Sequence, residues 1–189
     1  MGTLISAIVF AGVMSSYIFL GRALARQLNE ESLESRTRLA LYWFTQDVSS
    51  ASSITAVQTP TLSPTGATWP FTVFTLSIPG SSGTVSYQID WSGGSGYGIL
   101  KRYTSSTGTY LVLLDKLSTI SLGYFDITGN SVTVPAIAPS NPQINIKQVN
   151  MAYTCTAGTA STGAQSSLTM VSPMVVMKNK LLLVDPNSP

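Results

Sequence analysis

The sequence predicts an α+β protein in which a long N-terminal α-helix, hydrophobic in its first half, packs by its second half on an antiparallel β-sheet domain. Leu4–Leu20 is an uncharged apolar stretch, and the charged sequence after it keeps a helical spacing of apolar residues with no proline before Ser50. From Ile54 onward the apolar period changes from about 3.6 to about 2, which is typical of strands. We expect a transmembrane half of the helix over residues 1–21, an amphipathic half over 22–53 and a β-rich globular domain over 54–189.

The composition excludes several kinds of function. Hydrophobic residues make up 44% of the chain and charged residues 10%, which is too apolar for a disordered protein. The net charge is +2 without a basic cluster, so we expect no nucleic-acid partner. There is no histidine, and Cys155 is the single cysteine, which excludes an internal disulfide and a cysteine-based zinc site. We expect no cofactor, no metal site and no small-molecule substrate, and we interpret Cys155 as a core residue.

The first half of the helix has the composition of a membrane-crossing segment. Its apolar run is close to the lower limit of the roughly 17–25 residues that cross a bilayer. Ala7, Ala11 and Ser15 lie four residues apart, a spacing that lets helices approach closely in lipid, although small residues are also frequent in such helices. A secretory signal peptide with Ala23–Ala25 as its cleavage box and an ordinary single-pass anchor are the alternatives. We predict a membrane and assembly surface that comprises Leu4, Ile5, Ala7, Ile8, Ala11, Val13, Ser15, Tyr17 and Ile18.

The second half of the helix is amphipathic. Glu30, Glu31 and Glu34 are interpreted as a solvated helix face and not as a metal cluster, since no histidine or further carboxylate lies nearby in sequence. Glu34 also precedes Arg38 by four residues, which is a favourable pair on a helix. The apolar spacing predicts that this half packs on the β-domain through Leu39, Ala40, Trp43, Phe44 and Val48.

The remainder of the chain alternates between strand-like runs and turn residues. The proline- and glycine-containing turn at Pro79–Gly83 predicts a hairpin, and a second turn is predicted at Thr107-Gly108. We leave open a second, smaller sheet. The predicted strands are Phe71–Ile78, Thr84–Trp91, Ile99–Tyr103, Tyr110–Leu114, Ser118–Phe125, Val132–Val134, Ile144–Cys155 and Leu168–Val176.

We find no catalytic motif, and we predict that the protein is not an enzyme. A Ser-His-Asp arrangement needs a histidine, and the aspartates of the β-domain are scattered singly. The glycine-rich loop Ser92–Gly96 is followed by neither a Lys-Ser/Thr pair nor a helix start, so it is not a predicted phosphate site. Trp69, Trp91 and Tyr97 are compatible with a sugar-binding platform, but packing in the core or in loops is the favoured interpretation.

Several runs occur in an order that resembles the type IV pilin superfamily, and most closely its minor pseudopilins of the J type and the related minor pilin W family. Leu4–Phe10 is similar to the section just past the cleavage site of these proteins. The end-of-stalk run and the sheet landmarks that carry the rest of the resemblance are Arg38-Leu39-Ala40, Phe44, Asp47-Val48, Leu100-Lys101-Arg102, Tyr124-Phe125-Asp126 with Gly129, and Val175–Asn179.

This resemblance implies a non-enzymatic subunit at the tip of a type II secretion or type IV pilus filament. The subunit would be anchored in the bacterial inner membrane before assembly, with its β-domain in the periplasm. Its partners would be membrane lipid and then other pilin-like subunits, which it contacts through the N-terminal helices. Residues 1–21 would then form the filament core.

The chain departs from the family pattern at its start. The family has a Gly followed by Phe-Thr-Leu and a Glu at mature position five, whereas Gly2-Thr3-Leu4 lacks the Phe and no Glu precedes Glu30. The processing site is unassigned, with Gly2 as the one candidate. Either the true start lies upstream, behind a basic leader that ends in Gly, or the N-terminus was trimmed or altered, or this member diverged from the family. The alternative function is a single-pass, membrane-anchored β-domain that binds a ligand such as a surface glycan through the loops Ser92–Gly98 and Thr156–Ser167.

Overall fold

The computed structural model describes residues 2–55, 71–80, 83–91, 97–133, 145–158 and 165–180. One long helix is followed by a β-sheet, which confirms the predicted α+β class. The elements are α1 (Gly2–Ser50), β1 (Ser53–Thr55), β2 (Phe71–Ser77), β3 (Thr84–Asp90), β4 (Gly98–Thr104), β5 (Thr109–Phe125), β6 (Gln148–Ala157), β7 (Ser166–Val171) and β8 (Val175–Val176).

The helix α1 is continuous over 49 residues because nothing in its sequence breaks it before the serine-rich end. Ala51 N–H donates to the Val48 carbonyl and tightens the last turn. The last carbonyls of a helix have no hydrogen-bond donor within the helix itself. Here two of them accept hydrogen bonds from residues near the other end of the described chain. Lys178 N–H donates to the Ser49 carbonyl at 3.1 Å, and the Asn179 side-chain amide donates to the Ser50 carbonyl at 2.9 Å.

The strands form one antiparallel sheet in which neighbours in sequence are neighbours in space. Their order is β1-β2-β3-β4-β5-β6-β7, and β8 also pairs with β6. Along β6 the buried residues alternate with half-buried ones, as in a sheet with one face against a core and the other towards water. The second small sheet that the sequence left open is not found among the described residues.

Several predicted strands differ in the structure. The two predicted strands on either side of Lys116 are a single 17-residue strand, β5. The register of β5 against β4 shifts between Leu114 and Leu117, and Lys116 lies in this β-bulge with a φ of 52°, where the strand bends. The predicted strand Val132–Val134 is reduced to a bridge between Phe125 and Ser131, and Val134 lies outside the described residues.

The last predicted strand, Leu168–Val176, is divided in two. β7 ends at Val171 and β8 begins at Val175, with Pro173 between them. A proline lacks the N–H that a ladder needs, and it is tolerated here at the sheet edge. Ser172 bridges the gap, because its N–H donates to the Met151 carbonyl while its hydroxyl accepts from the Met151 N–H, both at 2.8 Å.

The core lies between the second half of α1 and one face of the sheet. Phe44 is fully buried and meets Phe74 and Tyr87 edge-on, with ring centroids 6.2 and 6.1 Å away. Phe74 and Tyr87 are stacked on each other at 4.7 Å. These three rings join the helix to β2 and β3, and this contact fixes the direction in which α1 leaves the domain.

Candidate functional site: the exposed apolar half of the N-terminal helix

The first half of α1 is exposed along its whole length. The side chains of Phe10, Tyr17 and Phe19 are 66, 70 and 72% exposed, which is unusual for residues of this size. The structure places the following predicted surface residues on this exposed half: Ile5, Ala7, Ile8, Ala11, Val13, Ser15, Tyr17 and Ile18. The side chain of Leu4 lies outside the described part, as does anything beyond the backbone of Gly2. We call residues 2–28 the free half.

The free half has the dimensions of a membrane anchor. The helix contains a stretch long and apolar enough to cross a membrane, near its N-terminus and unburied by the domain. At about 1.5 Å per residue, the 17 residues of Leu4–Leu20 extend about 26 Å, close to the hydrocarbon thickness of about 30 Å. The protein therefore has an N-terminal helix compatible with a single-pass membrane anchor.

The second half of α1 rests on the sheet through one narrow face. Its buried residues recur every three or four positions, which is one stripe of a helix. We call this stripe the sheet-side face, and it consists of Leu33, Thr37, Ala40, Phe44, Asp47 and Val48, none of them more than 4% exposed.

The predicted packing residues divide between this face and the opposite side of the helix. Ala40, Phe44 and Val48 lie on the sheet-side face. Leu39 does not, because it is 43% exposed, and the prediction that it packs on the domain is wrong. One residue along a helix turns by about 100°, and Leu39 lies on the far side of Ala40 from Thr37 and Phe44, so it points away from the sheet. Trp43 lies at the border of the face and is half-buried.

A buried ion pair fastens the end of the helix to the sheet. Arg102 on β4 donates from Nε to Asp47 Oδ2 at 2.6 Å and from NH2 to Oδ1 at 2.8 Å. Tyr87 on β3 donates its hydroxyl to the same Oδ2 at 2.8 Å. The side chains of Asp47 and Arg102 are 4 and 15% exposed, so water does not replace these bonds. A bidentate Arg–carboxylate pair fixes orientation as well as distance.

The surroundings keep Arg102 charged and Tyr87 neutral at neutral pH. The hydrogen bond that Arg102 donates to Asp47 raises the pKa of Arg102, against the smaller opposing effect of burial. Burial, followed by the charge of Asp47, raises the pKa of Tyr87 well above its usual value, so its hydroxyl stays protonated and donates. The guanidinium of Arg102 also lies over the Trp43 ring, 4.5 Å from the centroid, which is a favourable cation–π contact.

Asp47 and Arg102 belong to separate runs of the sequence, and their pairing was not predicted. Asp47 and Arg102 are 55 residues apart in sequence, so no local pattern indicates that they are in contact. The pairing of β3 with β4 places Arg102 beside Tyr87, and both side chains then bind Asp47. The one signal available was an aspartate at the end of an apolar helix face. A carboxylate in such a position needs a partner, since an unpaired buried charge is costly.

Weaker polar interactions connect the middle of α1 to the sheet. Tyr153 donates its hydroxyl to the Thr37 carbonyl at 3.2 Å, in a buried position. Arg36 forms a salt bridge with Asp115 on β5, but both side chains are nearly half exposed, so this pair contributes little. The helix is thus held along its second half, and most firmly near its end.

The chemical alternatives find no support among the described residues. Glu34 forms a salt bridge with Arg38 at 2.6 Å, and no group of three potential metal-ligating His, Cys, Asp or Glu side chains occurs in the described ranges. Cys155 is 1% exposed, and burial raises its pKa to about 12, so it is a thiol and not a reactive thiolate.

The aromatic residues considered for sugar binding are partly engaged in packing. The ring of Trp91 covers Gly98 so closely that a Cβ at that glycine would lie 2.7 Å from it. Tyr97 accepts a hydrogen bond from the Gln165 side-chain amide at 3.2 Å. Trp69 lies outside the described residues, as do most of the two loops predicted to bind a ligand.

The candidate site is therefore an exposed apolar half-helix carried on a half-helix that packs against the sheet. Such a surface can bind lipid or other apolar helices. Comparison with protein-family models and with curated proteins returned no match for this chain.

Proposed function

We propose that this protein is a non-enzymatic, pilin-like subunit of a type II secretion or type IV pilus filament. Its helix is anchored in the bacterial inner membrane before assembly, with the β-domain in the periplasm. During assembly the free half leaves the lipid and packs among the helices of other pilin-like subunits. The resemblance noted in the sequence supports this proposal, and so does the division of α1.

The observation that carries the proposal is the contrast between the two halves of one continuous helix. A simple anchor needs only to connect a domain to the membrane, and a flexible linker suffices for that. Here the free half continues without a break into a half that Asp47, Arg102 and Tyr87 lock to the sheet. A helix held in this way gives the free half a defined direction relative to its domain, which an ordered assembly of subunits requires.

The energetics of assembly also suit a free half of this composition. A helix that moves from lipid into a bundle of apolar helices exchanges one apolar environment for another, so the transfer itself costs little. The family's Glu at mature position five has no counterpart before Glu30. Contacts of the apolar side chains of the free half would contribute to the position of one subunit against the next.

The proposal is tested by photo-crosslinking of the full-length protein in the cells that produce it. A benzophenone-bearing residue is introduced singly at positions of the free half such as Ile5, Phe10 and Tyr17, and every product is identified by mass spectrometry. The same residue at Ile127, which is 59% exposed on the β-domain, is the matched control for expression and exposure.

Products that contain the apolar helices of other pilin-like subunits are expected from the free half. If the free half yields no protein product in cells shown to express the filament machinery, the proposal fails. The alternative, an anchored β-domain that binds a surface ligand, would then be pursued by glycan-array binding of the full chain in detergent.

A further inference from the structure

The free half carries two positive charges on one side of α1, just past its apolar stretch. Arg22 and Arg26 are four residues apart, or about one turn of the helix, so their side chains point to the same side. Both side chains are exposed. Arg22 takes part in none of the salt bridges within the described part of the chain. Its charge is therefore available to a ligand from outside the protein.

A depression of about 620 Å³ runs along the same side of the helix. The residues that line it recur every three or four positions, as residues on one stripe of a helix do. Both arginines thus border a single space, with an apolar ring at the end nearer the membrane and a carboxylate at the other end. The described lining residues are Phe19, Arg22, Ala23, Arg26, Gln27 and Glu30.

The apolar stretch sets the depth of this depression in a membrane. With Leu20 at the edge of the hydrocarbon, a rise of about 1.5 Å per residue places the backbone of Arg22 about 3 Å and that of Arg26 about 9 Å beyond it. The headgroup layer on each side of a bilayer is about 5 to 7 Å thick. Side chains of a helix tilt towards its N-terminus, and long arginine side chains reach polar groups at the interface. Both guanidiniums can therefore meet the headgroup layer.

The two sides of the helix differ at this depth. Leu24 and Leu28 lie on the side opposite the arginines and are 62 and 58% exposed, so that side is apolar. On the side of the arginines the sheet leaves the level of the headgroups open. Leu33, the first buried residue in the described part of α1, follows Arg26 by seven residues, or about 10 Å. A lipid headgroup can thus reach both arginines below the β-domain.

We propose that Arg22 and Arg26 bind the phosphate of an anionic phospholipid, in the leaflet on the side of the β-domain. A guanidinium donates two parallel N–H bonds to phosphate oxygens, which adds geometric specificity to the attraction between the charges. A zwitterionic headgroup brings a cation of its own, which the arginines repel, so the site favours lipids with a net negative charge. The site rests on the membrane anchoring of the proposed function and adds the class of lipid to it.

The test measures lipid binding to the full-length protein in a neutral detergent by native mass spectrometry, which counts bound lipids one by one. Anionic phosphatidylglycerol is titrated in parallel with zwitterionic phosphatidylcholine. We expect phosphatidylglycerol to bind more tightly, and Arg22→Gln and Arg26→Gln each to weaken its binding about fivefold, as about 1 kcal/mol per basic residue near an anionic surface implies. Arg38→Gln removes the same charge about 27 Å beyond Leu20 and is expected to change nothing.

Glu30 provides a variant whose expected effect has the opposite sign. Its carboxylate lines the same depression, about 12 Å along the axis from Arg22, and it repels a phosphate. Glu30→Gln is therefore expected to tighten the binding of phosphatidylglycerol and to leave that of phosphatidylcholine unchanged. A variant that merely disturbed the helix would not strengthen the binding of one lipid alone.

The outcomes separate this site from the anchor on which it depends. Equal binding of the two lipids, or an unchanged affinity for phosphatidylglycerol when Arg22→Gln and Arg26→Gln are combined, would overturn the lipid site and leave the membrane anchor standing. Displacement of bound phosphatidylglycerol by millimolar inorganic phosphate would overturn the lipid as the ligand. A full-length protein that stays in solution without detergent and does not sediment with phosphatidylcholine vesicles would overturn the anchor itself.

Discussion

At the scale of single residues, Asp47 is the side chain on which the attachment of the helix depends most. Asp47→Ala leaves Arg102 buried without its carboxylate and Tyr87 without its acceptor, and removal of one partner of a buried ion pair costs about 3 kcal/mol or more. Glu34→Ala, at a salt bridge that is mostly exposed, is expected to cost less than about 0.5 kcal/mol. Denaturant unfolding of the full chain in detergent measures both, and equal losses would contradict the importance of the buried pair.

Two buried tyrosines allow a matched test of hydrogen bonding in the core. Tyr153 donates to the Thr37 carbonyl, whereas the hydroxyl of Tyr124 has no hydrogen-bond partner within the described part of the chain. Tyr153→Phe is expected to lower the free energy of unfolding by about 1 kcal/mol, because it leaves a buried carbonyl without its donor. Tyr124→Phe is expected to leave it unchanged or raise it by up to about 1 kcal/mol. A larger loss from Tyr124→Phe would show that its hydroxyl has a partner.

At the scale of secondary-structure elements, the bend of β5 stores a small backbone strain. Lys116 has a φ of 52°, a region that residues with a Cβ rarely occupy and that glycine occupies without penalty. Lys116→Gly is therefore expected to raise the free energy of unfolding by up to about 1 kcal/mol. Lys116→Ala keeps the Cβ and is expected to give no gain. The same denaturant measurement distinguishes them, and an equal effect of the two variants would assign it to the lysine side chain.

The part of α1 before Leu33 is expected to contribute little to the stability of the folded domain. No described side chain before Leu33 is buried. A chain that lacks residues 2–28 should therefore unfold with a free energy within about 1 kcal/mol of the full chain, because it loses no core contact. It should also lose its affinity for membranes, which sedimentation with lipid vesicles measures. A domain that fails to fold without the free half would contradict this expectation.

At the scale of the whole molecule, the buried thiol predicts an alkaline limit to stability. Burial raises the pKa of Cys155 from about 9 to about 12, so the folded state holds this proton more tightly than the unfolded state. The contribution is fully present below pH 9 and is lost as the pH rises towards 12. Burial also raises the pKa values of Tyr124 and Tyr153, and their contributions have the same sign.

Cys155→Ala removes the thiol's part of this pH dependence. Its free energy of unfolding is expected to fall less steeply between pH 9 and pH 11 than that of the native chain, whatever its value at neutral pH. Unfolding midpoints measured across this range test the expectation. A parallel decline in the two proteins would show that the thiol ionises equally in the folded and unfolded states.

The long helix, the change to strand periodicity and the apolar first half were all predictable, because each is a local pattern with its own period or length. Ala40, Phe44 and Val48 follow from the spacing of apolar residues on a helix. Leu39 was predicted wrongly for the same reason: two apolar stripes run along one helix, and spacing alone does not say which stripe meets the sheet. The joined strand β5 also escaped prediction, because the bulge at Lys116 interrupts the alternation of apolar residues from which strands are predicted.

An apolar helical stretch of membrane length and a β-rich remainder follow from the amino-acid sequence alone, since composition and periodicity are properties of the chain. The way in which the two are joined follows from the folded structure. The ion pair of Asp47 with Arg102 spans 55 residues, and the capping of Ser49 by Lys178 spans more than twice that distance. Such contacts depend on strand pairing, which places distant residues side by side, and the same pairing positions the sheet against one face of the helix and leaves the other exposed.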